Sequence, residues 1–126
     1  MDSKIYRNGE YVYINSSEKN EKRDVELDIY YPRVNNKSIY ENYKSSEPVM
    51  KGIKIDSEGI TLISKTPLIV GDFVNFSIAL GEYPSFWCLC EVKYVQYEDT
   101  NCKAQCEFYS LTMEQINMIK EYMNGI

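Results

Sequence analysis

KGIKIDSEGITLISKTPLIVGDFV, residues Lys51–Val74, decides the fold of this chain. It reads as a strand, a tight Asp-Ser-Glu-Gly turn, a second strand, then Pro67 and a Gly71-Asp72 turn into a third. Apolar residues alternate at Ile53 and Ile55, at Ile60 and Leu62, and at Val74, Phe76, Ile78 and Leu80. Period-two alternation is the mark of half-buried strands. Successive short strands joined by tight turns imply a small antiparallel barrel.

The pattern continues on both sides. Toward the N-terminus, Asn8-Gly9 between two alternating runs predicts a hairpin over Lys4–Ile14. Asn15–Asp24 is polar and charged, an exposed linker. In Val25–Val34, Val25, Leu27, Ile29 and Tyr31 fall on one side and Glu26, Asp28 and Tyr30 on the other, with Pro32 ending the strand. Asn35–Pro48, rich in Asn, Ser, Lys and Glu, reads as a mobile excursion. Strands are then expected at Met50–Ile55, Gly59–Ile63 and Asp72–Leu80, and a hairpin from Phe86–Tyr97 and Cys102–Tyr109.

Leu111–Met123 predicts a helix. Thr112 and Gln115 form a capping box, Leu111 and Ile116 a hydrophobic staple, and Met113, Ile116, Ile119 and Met123 one apolar face. The expectation is one all-β-dominated domain over residues 1–126. It comprises an N-terminal hairpin extension (1–18), a split barrel of six or seven antiparallel strands (19–110) and a C-terminal helix (111–124).

Composition narrows the function classes. The 126 residues carry a formal net charge of −5 and only three arginines, Arg7, Arg23 and Arg33, which argues against polymeric nucleic acid. No apolar run is long enough to span a bilayer, and the polar start, MDSKIYRNGE, lacks the apolar stretch of a signal peptide. These features point to a cytoplasmic protein. The chain has no histidine, no carboxylates paired at helical spacing and no nucleophile flanked by a base, so it does not read as an enzyme.

Cys88, Cys90, Cys102 and Cys106 invite a zinc site, but C-x-C on a strand is not the usual knuckle spacing. Alternation instead puts Phe86, Cys88, Cys90, Val92 and Tyr94 on one core-facing side, and Cys102, Ala104, Cys106 and Phe108 on another. For both sets to face inward, the intervening loop should hold an odd number of residues, such as Asp99–Asn101. No metal or cofactor is expected. Trp87 then points outward, and with Leu89 it offers a contact patch for a protein partner. Tyr11, Tyr13, Tyr30, Tyr31, Tyr40 and Tyr43 read as cover for the barrel surface or a protein interface.

The order and spacing of Pro67–Leu80, Glu91–Phe108 and the terminal helix ending IKEYM resemble the PilZ domain, the bacterial receptor module for cyclic di-GMP. The resemblance covers roughly residues 19 to 123 by pattern. It implies a nucleotide-binding site in two parts. One is R-x-x-x-R at the N-terminal edge, whose guanidiniums grip phosphates and guanine faces. The other is D-x-S-x-x-G on a strand-turn-strand.

Here the first motif reads Lys19-Asn20-Glu21-Lys22-Arg23, with lysine in place of the first arginine, a swap that keeps charge and loses the planar fork. The second, anchored on Gly59, reads Lys54-Ile55-Asp56-Ser57-Glu58-Gly59, with Lys54 at the Asp position and Asp56 at the Ser position. Matching Asp56 and Ser57 to the family's Asp and Ser requires shifts that would turn strand side chains to the other face. Asp56, Ser57 and Gly59 also read simply as turn residues, Gly59 supplying positive φ. The resemblance thus implies a signalling module with a degenerate ligand motif, an adaptor acting on a protein partner in motility or secretion control. The other reading is a cyclic di-GMP receptor with a divergent site at Lys19, Arg23, Lys54, Asp56, Ser57 and Gly59.

Overall fold

The computed structural model describes residues 2–7, 10–15, 22–43 and 48–125. Two short strands, β1 (Asp2–Arg7) and β2 (Glu10–Asn15), pair antiparallel as a separate hairpin. Its expected Asn8-Gly9 turn lies outside the described residues, as do residues 16–21 of the expected linker.

The body is one eight-stranded antiparallel sheet with a C-terminal helix. Its strands are β3 (Arg23–Ile29), β4 (Arg33–Val34), β5 (Lys37–Ser38), β6 (Met50–Ile55), β7 (Gly59–Ser64), β8 (Phe73–Ile78), β9 (Phe86–Glu98) and β10 (Asn101–Tyr109). The order across the sheet is β3-β6-β7-β10-β9-β8-β4-β5, and the sheet curls until β3 approaches β8. Curling is what lets one sheet enclose a core. Ile29, Ile55, Ile60, Leu62, Val74, Phe76, Ile78 and Val92 fill the concave side.

The helix α2 (Met113–Asn124) closes one side of that core. Thr112 Oγ1 accepts from Gln115 N, and the Gln115 side chain accepts from Thr112 N, so the capping box forms. Leu111, Ile116, Ile119 and Met123 are buried. Met113 departs from the expected face and is 60% exposed. It is the first helical residue, at the end of the helix.

Four strand-level expectations are corrected, each by an irregularity that periodicity cannot carry. First, the loop between β9 and β10 holds two residues, Asp99 and Thr100, because Glu98 pairs with Asn101. Gln105 faces Tyr94 but Cys106 faces Val92, so Lys93 is an extra, bulged residue. One inserted residue reverses side-chain parity for everything beyond it. The bulge therefore turns Val92, Cys90 and Cys88 onto the face of Cys102, Ala104 and Cys106, and leaves Tyr94 56% exposed rather than in the core.

Second, β3 ends at Ile29. Tyr30 and Tyr31 are both exposed, and Tyr31 turns the chain with φ 55°. Tyr31 thus leaves the face of Val25, Leu27 and Ile29, and Val34 joins a different strand.

Third, the Asn35–Pro48 segment begins with defined structure. Asn35 and Asn36 have φ 51° and 65° and join β4 to β5 as a two-residue hairpin turn, the geometry asparagine tolerates best after glycine. Asn35 N donates to Phe73 O, and Phe73 N to the Asn35 side chain, anchoring the turn to β8. A helical turn, α1 (Tyr40–Tyr43), follows. Residues 44–47 lie outside the described residues.

Fourth, Ile53 does not alternate with Ile55. Gly52 pairs with Leu62 and Lys54 with Thr61, so Ile53 is the bulged residue of β6 and is only half-buried.

Candidate functional site

The β6–β7 connection is built around one carboxylate. Asp56 Oδ1 accepts from Glu58 N and Gly59 N, both at 2.8 Å, while Asp56 N donates to Gly59 O at 3.0 Å. Aspartate is suited to this because its short side chain reaches backbone donors two and three residues on. Asp56 is 3% exposed and Ser57 is buried with it. A buried carboxylate is tolerated where backbone N–H groups satisfy it.

Gly59 is required, though not for the expected reason. It is not among the residues with positive φ. A Cβ there would lie 2.1 Å from the carbonyl oxygen of Cys106 on β10, so the constraint is backbone-to-backbone approach. Phe108 N donates to Glu58 O at 2.8 Å and ties the same turn to β10.

The register of β3 against β6 brings part of the first motif to this corner. Arg23 pairs with Ile55, the residue before the turn, and Asp24 with Lys54. Arg23, Lys54, Asp56, Ser57 and Gly59 therefore cluster at one end of the β3-β6-β7 group. Lys19 lies outside the described residues. Arg23 is exposed. Lys54 Nζ sits 3.2 Å from Asp24 Oδ1, an exposed pair of small energetic weight that nonetheless offsets the lysine's charge locally. Asp56 Oδ1 is spent on its own turn.

The cysteines face the core, as strand alternation predicts, and all four are free thiols. Burial pushes the Cys90 thiol well above its ordinary value, its hydrogen bond with Cys88 adding to the rise, and pushes Cys106 up to about 12 against a partial opposing pull from Lys22. Such thiols stay protonated, which removes the nucleophilic and metal-binding form. Among the described residues, no three Cys, Asp or Glu side chains are grouped to hold a metal ion.

Trp87 stands 55% exposed on the outer face of β9, as alternation against Cys88 predicts. Leu89 lies two residues along the same face, half-buried, opposite Asn75 on β8 and Tyr109 on β10. Tyr109 packs edge-on against Phe73, ring centroids 5.7 Å apart. No local sequence signal marks Phe73 or Tyr109 as part of this patch. The register that sets Tyr109 opposite Leu89 follows the bulge at Lys93, which no local pattern announces.

Of the expected surface tyrosines, Tyr30 and Tyr31 are exposed and Tyr43 is half-buried; the side chains of Tyr11, Tyr13 and Tyr40 lie outside the described set. Among the described residues, no helix is long and apolar enough to cross a membrane. The chain matches no protein-family model, no curated protein and no solved structure.

Proposed function

We propose that this chain is a non-enzymatic, PilZ-type regulatory module of bacterial cyclic di-GMP signalling, acting in the cytoplasm as a protein–protein adaptor in motility or secretion control. The observation carrying the adaptor reading is that two of the polar side chains at the turn already have partners within the fold. Asp56 Oδ1 accepts from Glu58 N and Gly59 N, and Lys54 pairs with Asp24. The outer sheet face meanwhile presents Trp87, Leu89, Phe73 and Tyr109 to solvent or at half-burial. Aromatic residues of this kind anchor protein interfaces.

One observation favours the alternative, a cyclic di-GMP receptor with a divergent site. Arg23 is exposed and sits directly beside the turn, where a guanidinium could stack on a guanine or fork onto a phosphate.

Isothermal titration with cyclic di-GMP at moderate salt separates the two. The adaptor reading expects no heat of binding. Low-micromolar binding that disappears in Arg23→Ala would establish the receptor instead. For the adaptor, a partner captured from the native host should be lost with Trp87→Ala, and unchanged capture would remove the outer-face patch from the account.

A further inference from the structure

Among the described residues the curled sheet does not close. β3 is the terminal strand on one side, and among the described residues no strand pairs with its outer edge. β8 is covered on that side only at Val74 and Asn75, by β4. Between the two edges lies a cleft of about 500 Å³. Glu26, Asp28 and Tyr30 line it from the β3 side, Ile78 from β8 and Trp87 from β9. A strand edge carries a row of unpaired N–H and C=O groups, the template on which extended peptides add as an extra strand.

The lining selects the occupant. It holds two carboxylates, two tyrosines and a tryptophan, and no lysine or arginine. Lys51 opposes this charge: its Nζ is 3.7 Å from Asp28 Oδ1 in an exposed pair that a competing cation could displace. Two acidic side chains along a free edge repel an identical edge, which disfavours pairing with a second copy. The same carboxylates attract lysine or arginine, and exposed aromatic faces bind cations further. The whole chain's charge of −5 acts in the same direction.

We propose that this cleft receives an extended, cationic peptide segment of a partner protein, which adds to the free edge of β3 and lays its lysine or arginine side chains against Glu26, Asp28 and the ring of Trp87. The inference rests on the adaptor reading and supplies the chemistry of the partner.

Trp87 is the only tryptophan in the chain, so its emission reports on the cleft directly. The probe is an end-blocked nonapeptide of alternating lysine and valine, titrated at low salt. Its controls are the glutamate–valine counterpart and two forms N-methylated along one edge or the other. The lysine peptide should shift the emission saturably, and the acidic peptide should bind at least tenfold more weakly. Methylation along one edge should abolish binding while methylation along the other leaves it. The double variant Glu26→Lys, Asp28→Lys, at two exposed positions, should invert the preference between the two charged peptides.

Equal affinity for both charge signs, indifference to methylation on both edges, or no saturable shift would each overturn the proposal. So would a Trp87 signal that changes with protein concentration alone, since the edge would then be closing on a second copy. If the peptide fails while the whole protein still captures a host partner through Trp87, the cleft falls and the adaptor reading stands. If the peptide binds as described and no partner is captured, the reverse holds.

Discussion

Two turns in this molecule use the same residues for different ends. In Asp56–Gly59 and in Ile69–Asp72, an aspartate carboxylate accepts from at least one backbone N–H of its own turn and a glycine completes the bend. Asp56 Oδ1 holds Glu58 N and Gly59 N, while Asp72 Oδ2 accepts from Ile69 N and Asp72 Oδ1 from the Asn35 side chain. The first turn is buried against β10, whereas the second projects Ile69 and Val70 into solvent. Gly59 is there because the Cys106 carbonyl leaves no room for a side chain. Gly71 has open space around it and is there because its φ is +97°. A glycine in a turn thus answers either to packing or to backbone conformation, and burial decides which.

The sharpest test of that contrast is alanine at each glycine. Gly59→Ala forces a backbone shift between β7 and β10 and should cost about 3 kcal/mol or more in urea unfolding. A cost below that of the Gly71 variant would break the comparison. Asp56→Ala leaves two N–H groups without their acceptor at a buried turn, for an expected loss of about 2–3 kcal/mol. Asp56→Asn keeps an accepting oxygen and should recover most of it, which would show that hydrogen bonding rather than charge holds the corner.

The same corner predicts a pH response. The Cys106 thiol in the fold ionises only near pH 12, against an ordinary value of 9.0. Above pH 9 the unfolded chain releases this proton while the folded chain keeps it, so the unfolded state is favoured and stability falls as pH rises. The contribution is present in full below pH 9 and should decline by about 2 kcal/mol by roughly pH 10.5, following about 1.4 kcal/mol per unit. Thermal unfolding of Cys106→Ala across that range should show a shallower decline than the parent. Equal slopes would mean the thiol is not held in the core.

Gly71→Ala should have the smallest effect, about 1–2 kcal/mol, from strain at positive φ with no clash. Here Gly71→Asn, which tolerates such φ better, should cost less than alanine; a reversed order would point to a packing role.

The strands, the capped helix and the inward cysteines were legible in the sequence because each rests on local periodicity or on side-chain-to-backbone bonds spanning three or four residues. Val74, Phe76, Ile78 and Leu80 needed no context to be placed in a core. Thr112 and Gln115 state the start of the helix outright. The candidate site was legible only as a set of residue types: Arg23 is more than thirty positions from Gly59 in the chain, and the register of β3 on β6 is what puts them at one corner.

What the sequence by itself determined was an alternating, β-rich chain ending in an amphipathic helix, with a net charge of −5 and no histidine. Only the tertiary structure decided that Lys93 bulges and turns Tyr94 outward, that Gly59 answers to the Cys106 carbonyl, and that β3 and β8 flank an acidic, aromatic cleft. Periodicity is a property of neighbours along the chain, whereas parity, close approach and closure arise between strands distant in sequence, where a single extra residue changes which side of the sheet every later side chain occupies.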